Sequence, residues 1–240
     1  MPIIGSFGAR ACLALRLDHK RKLASDKLQH SKDYFAFVSS SPNYDDKIRA
    51  FHEPAYIGIA FGILEAYLMD SARVILQAFP DKLRDSPHKV KDALSSSYSS
   101  ILQDAIDKQL NELGYKSIKD IIDTISELAC NKPYTGSVED LEEFKATRDI
   151  YTHNSGVPNE IYYKKAGAKA RRRESQLLPL GEAYLMVGAD GIISLINDFY
   201  STRLERFSHY EKPVVLREMW ELTCLCRVMP FDEAWSPLES

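Results

Sequence analysis

The stretch "RDIYTHNSG", Arg148 to Gly156, places a guanidinium, a carboxylate and an imidazole within six positions and follows them with Asn-Ser-Gly, a helix stop signal. Spaced at about 100° per residue on a helix, Asp149 and His153 lie one turn apart on one face, so the carboxylate could accept a hydrogen bond from one ring nitrogen and fix the tautomer. The other nitrogen would then be free for proton transfer. Arg148 borders that face, and its planar fork suits a phosphate or a developing phosphorane better than a lysine would. The same residues also make a solvated helix end, where a histidine sits well at the negative pole of the dipole. Spacing alone does not choose between these. With 14 arginines and six histidines in 240 residues, an Arg five positions before a His is expected roughly 0.35 times by chance. The looser pair Arg203 and His209 lacks both a polar residue after the arginine and a following stop.

The elements that must hold this stretch read as helices throughout. Helical periodicity runs from about Leu15 to Val38. It resumes after "SSSPNYDD" in a long apolar segment, with Pro54 expected in its first turn, and stops at Pro80. A third helix is expected from Pro87 to Gly114, a fourth from the Ser117 cap with Asp120 to about Cys130, and a fifth from a Ser137 cap to the quoted stretch. Glu139, Asp140, Glu142 and Glu143 would complement the positive end of that fifth helix. A loop with Pro158 and a basic run leads to a helix over "LGEAYLMVGADGIISLINDFYSTRLERF", and "VVLREMWELTCLCRVM" reads as a final helix.

A formal net charge of −3 excludes a globally basic nucleic-acid coat, so contact with a polyanion requires a local patch. One follows the opening stretch at once: "YYKKAGAKARRRE" carries Lys164, Lys165, Lys169, Arg171, Arg172 and Arg173 beside Tyr162 and Tyr163. Such a run suits phosphate binding with base stacking, or is a solvated loop. The six histidines are dispersed, and Cys224 and Cys226 have no matching ligands near them, so neither a metal nor a cofactor is expected. The four cysteines lack the dense spacing of a disulfide scaffold. The N-terminus lacks a basic n-region, and "AYIGIAFGILEAYLM" is short for a membrane span and contains Glu65. These features together favour a cytoplasmic protein.

An arginine, a polar residue, three variable residues and a histidine, followed by "NSGVPNEIYYKKAG", resemble the signature of the HEPN superfamily. There an arginine and a histidine are separated by four to six residues, and the residue after the arginine is often Asn or Asp. The segment "GILEAYLMD" is similar to the first core helix of the RiboL-PSP-type branch, where an acidic residue points toward the motif; here that residue is Glu65. The resemblance covers about residues 53–208. It implies an HEPN-like all-α bundle over 53–208; it does not cover the N-terminal helical extension (1–52) or the C-terminal helical extension and tail (209–240) that the periodicity sets beside it. It further implies a homodimer and a metal-independent endoribonuclease used as a toxin or in anti-phage defence, with an antitoxin or defence-system protein as a possible partner. Arg148, His153, Asp149 and Glu65 would then be the catalytic set, and Asn154 with the basic run the RNA contacts. Cleavage by the 2'-hydroxyl asks for a base, an acid and positive charge on the phosphorane, and one histidine cannot serve as both base and acid in a single step. The rival reading is a catalytically silent module of the same fold that binds a protein or nucleic acid.

Overall fold

The computed structural model describes residues 12–83, 98–171, 176–205 and 207. Among the described residues there are seven α-helices and no strand, as the periodicity predicts. They are α1 (Leu13–Ser39), α2 (Asp46–Ala78), α3 (Tyr98–Gly114), α4 (Ile118–Cys130), α5 (Glu139–His153), α6 (Glu160–Ala166) and α7 (Glu182–Phe199). Short 3-10 turns occupy Pro80–Lys82 and Gly167–Lys169, and α7 runs on as a π turn, Tyr200–Leu204. No described helix is long and apolar enough to cross a membrane. The expected final helix, its Cys224 and Cys226, and the Pro87 start lie outside the described residues.

α2 is the axis, because its apolar residues recur on one broad face and bury against α1, α3, α4, α5 and α7. Ile57, Phe61, Leu64, Leu68 and Ile75 on this face are fully buried, each side chain being worth about 1.5–3 kcal/mol relative to exposure. The helix starts earlier than Pro54 suggests. Asp45 caps it, its carboxylate accepting from the N–H groups of Lys47 (3.0 Å) and Ile48 (2.9 Å), so Pro54 lies in the interior. The proline, whose missing N–H leaves the Ala50 carbonyl without its usual donor, is carried by the cap together with the burial of Ile57, Phe61 and Leu64 just beyond it.

The expected division at 52/53 therefore falls inside α2, and α1 is no appendage. Its stripe of Leu13, Leu17, Ala24, Leu28 and Phe35 belongs to the same core cluster as α2 and α7. α1 runs antiparallel to both neighbours: Arg16 bonds Gln77 (2.7 Å) while Phe35 stacks on His52, and Arg21 bonds Asn197 (3.0 Å) while Lys32 pairs with Asp190.

The Ser117 cap of α4 is present, its hydroxyl oxygen accepting from Asp120 N–H at 3.1 Å, and α3 closes at Gly114. The Ser137 cap is not. α5 begins at Glu139 behind Val138, whose side chain is buried in the core and fixes the entry of the chain one residue later. α7 crosses α5 closely at Gly188, where a Cβ would overlap the Phe144 ring. Gly188→Ala should accordingly lower stability by about 1–3 kcal/mol despite its better helix propensity, measurable by urea denaturation with an unchanged m-value.

Candidate functional site

The C-terminal turn of α5 carries Arg148, Asp149 and His153, and the stop behind it forms as the sequence indicates. Asn154 ends the helix. Ser155 (φ 50°) and Gly156 (φ 78°) take left-handed backbone, and the N–H groups of Asn154 and Gly156 both donate to the Ile150 carbonyl, at 2.8 and 3.0 Å. Gly156 is required twice over, since a Cβ there would also meet Tyr151 and Leu177.

Arg148 is fixed by α2. Its Nη2 donates to Glu65 Oε1 at 2.8 Å, its guanidinium carbon lies 5.3 Å from the Phe61 ring centre, and its Nε is 3.2 Å from Asp149 Oδ1. Glu65 and Arg148, far apart in sequence, are thus neighbours. His153 is exposed, and its ring makes no hydrogen bond among the described residues.

Asp149 does not orient that ring. Its carboxylate is taken by Lys165 Nζ at 2.9 Å, with Lys145 Nζ at 3.7 Å and Arg148 beside it. The reason is α6, which folds back on α5 and brings the Lys165 ammonium to the carboxylate. Asn154 is occupied as well, its side-chain amide donating to the Val157 carbonyl at 2.5 Å.

The basic run is not the loop expected. Asn159 caps α6, accepting from Tyr162 N–H at 2.9 Å, and Lys164 and Lys165 lie on that helix. The signal was legible as Asn159 followed by Glu160 in a first turn. Lys169 pairs with Asp140 at 2.8 Å. Lys164 is exposed and has no ion pair among the described residues. Arg172 and Arg173 lie outside the described residues.

Arg171 turns inward. Its Nε donates to Glu143 Oε1 (3.0 Å), Nη2 to Thr147 (2.9 Å) and Nη1 to the Pro179 carbonyl (2.6 Å), and its guanidinium lies 3.7 Å from the Tyr184 ring centre. Glu143, 5% exposed, also accepts from Thr147, Tyr162 and Tyr184, each at 2.8 Å. It is a buried hub rather than a solvated dipole charge. Burial first, then the Glu143 charge, holds the Tyr184 phenol above its ordinary pKa. Next to the hub, Ala146, Ile150, Tyr162, Ala166 and Leu178 form a small second core under α6.

Among the described residues no group of three or more His, Cys, Asp or Glu side chains is arranged to hold a metal ion. The chain matches no protein-family model, no curated protein and no solved structure.

Removing one partner of the hub leaves a buried charge unpaired. Arg171→Met should therefore cost about 3–5 kcal/mol, whereas Lys169→Met, which breaks a surface pair, should leave the melting temperature nearly unchanged; paired thermal melts test the contrast.

Proposed function

We propose that the chain is an HEPN-like, metal-independent endoribonuclease, working as a toxin or defence effector, in which Arg148 and His153 act on the scissile phosphate. The observation that carries this reading is the clamping of Arg148 by Glu65 and Phe61 at the same helix end that presents an exposed, unengaged imidazole. A pre-positioned guanidinium can stabilise a phosphorane without first paying its ordering entropy. The 2'-hydroxyl of RNA is the nucleophile. One imidazole takes its proton while the P–O5' bond breaks, and a second protonates the leaving 5'-oxygen.

The second imidazole would come from a second copy. At about 100° per residue, Ile48, Phe51, Ala55, Gly58, Ile59, Gly62 and Ala66 share the face of α2 opposite the core, and all are exposed, Phe51 at 81% and Ile59 at 55%. Glu65 borders this face, so a two-fold contact along it would set two Arg148 side chains close together. An apolar face of this extent beside the site supports a dimer. Lys164 and Lys165 lie next to the helix end, where they could hold flanking phosphates.

A second reading, a catalytically silent module that binds RNA or a protein, is favoured by one observation: Asp149 is held by Lys165 and leaves His153 without an orienting carboxylate.

The purified protein should cut RNA but not the matching DNA and leave 2',3'-cyclic phosphate ends. His153→Ala and Arg148→Ala should each lower the rate by at least about 100-fold with little change in melting temperature. Free 3'-hydroxyl products would overturn the internal attack, and no cleavage by pure wild-type protein would favour the silent module. Ile59→Glu should convert the dimer to a monomer in sedimentation, keep the fold and abolish cleavage. In mixed dimers, one His153→Ala chain should reduce activity far below half.

A further inference from the structure

Where the C-terminal end of α1 meets the first turns of α2 and the segment 177–182, the surface opens into a groove of about 580 Å³. Tyr44 and Tyr151 contribute aromatic walls and Leu177, 58% exposed, aliphatic surface, while Phe35, Leu178 and Leu180 form the buried floor behind them. A space of this size accommodates a small ligand or one long side chain with its neighbour.

The buried carboxylate of this groove is Glu53. It is 8% exposed, yet among the described residues only Gly181 N–H donates to it, at 3.2 Å to Oε2; Arg49 Nε forms a long ion pair with Oε1 at 3.9 Å, beyond a hydrogen bond. Glu143, similarly buried, receives four donors. A carboxylate has about four acceptor positions, and those of Glu53 not met by Gly181 or approached by Arg49 are open to the groove that it lines. Arg49 is turned to other partners, Asp46 at 3.1 Å and the Tyr44 ring at 5.6 Å from its centre. Ala50 belongs to the groove, and its carbonyl lacks a donor at position 54, which is proline. Among the lining residues Asp46, Glu53 and Glu182 outweigh the single guanidinium of Arg49, so the groove has a net negative charge.

We propose that this groove binds a guanidinium on a short apolar stem, with Glu53 as its counter-ion. The protein already uses this arrangement internally, where Arg171 meets the Glu143 carboxylate while lying over the Tyr184 ring. A flat guanidinium satisfies both needs of the groove, since it offers paired donors to a carboxylate and a face to tyrosine, which an ammonium does less well. The stem would lie along Leu177. A free arginine derivative and an arginine side chain of a polypeptide share this chemistry.

The test is calorimetric titration of the full chain with agmatine, with a blocked Ala-Arg-Leu tripeptide, and with the same tripeptide carrying citrulline, which keeps the shape and loses the charge. A guanidinium probe should bind with a Kd at or below about 1 mM, and citrulline should weaken binding at least tenfold. Agmatine binding as well as the peptide identifies a small-molecule site, and peptide binding alone identifies a polypeptide partner. Glu53→Gln should lose binding at least tenfold, and Ala50→Trp, which fills the groove from an exposed position, should block it with the melting temperature kept. If Glu53→Gln does not fold, Ala50→Trp decides. Absence of binding by both guanidinium probes, equal binding of the citrulline peptide, or full binding to Ala50→Trp would each overturn the proposal.

Discussion

The contact between Arg171 and Glu143 is the constraint on which the C-terminal half of the described fold turns. A carboxylate buried on α5 would be costly alone, and it is matched by Thr147 from its own helix, Tyr162 from α6, Arg171 beyond α6 and Tyr184 from α7. These donors fix where α6 lies, and α6 in turn brings Lys165 to Asp149. Because each hydrogen bond in the cluster strengthens its neighbours in a low-dielectric setting, the group acts as a unit. The end of α5 inherits its geometry from this hub and from Glu65.

Two carboxylates illustrate opposite solutions to the same problem. Glu143 has every donor it needs and serves the fold, while Glu53 has one and borders open space. A fully satisfied buried charge specifies a packing, whereas one that lines open space keeps acceptor positions free for another group.

Much of the architecture was legible because it rests on local chemistry. The Ser117 cap, the Gly114 stop and the Asn154–Gly156 stop follow from short patterns, whereas the pairing of Glu65 with Arg148 across 83 residues was indicated only by a resemblance. What was not legible depends on competition between distant groups. Nothing in "KKAGAKARRRE" separates Arg171, which goes inward, from Lys164, which stays in water. Helix spacing pairs Asp149 with His153, but α6 brings Lys165 to the carboxylate, and the Asp45 cap nine residues before Pro54 starts α2 earlier than the proline suggests. In each case a stronger partner, supplied by tertiary packing, displaced the local choice.

The antiparallel packing of α1 against α7 has a kinetic consequence. Lys32 and Asp190, like Arg21 and Asn197, are separated by more than 150 residues, so this part of the core closes a very long loop. During synthesis α1 and α2 emerge with their apolar stripes made and must wait for α7, which is translated much later. The hairpin of α1 and α2 can shield Leu17, Leu28 and Phe35 in part, since its own contacts are local in sequence and form early. Docking of α7 is then the step at which the bundle becomes cooperative, and the interval before it is when the nascent chain is most open to aggregation or to capture by a chaperone.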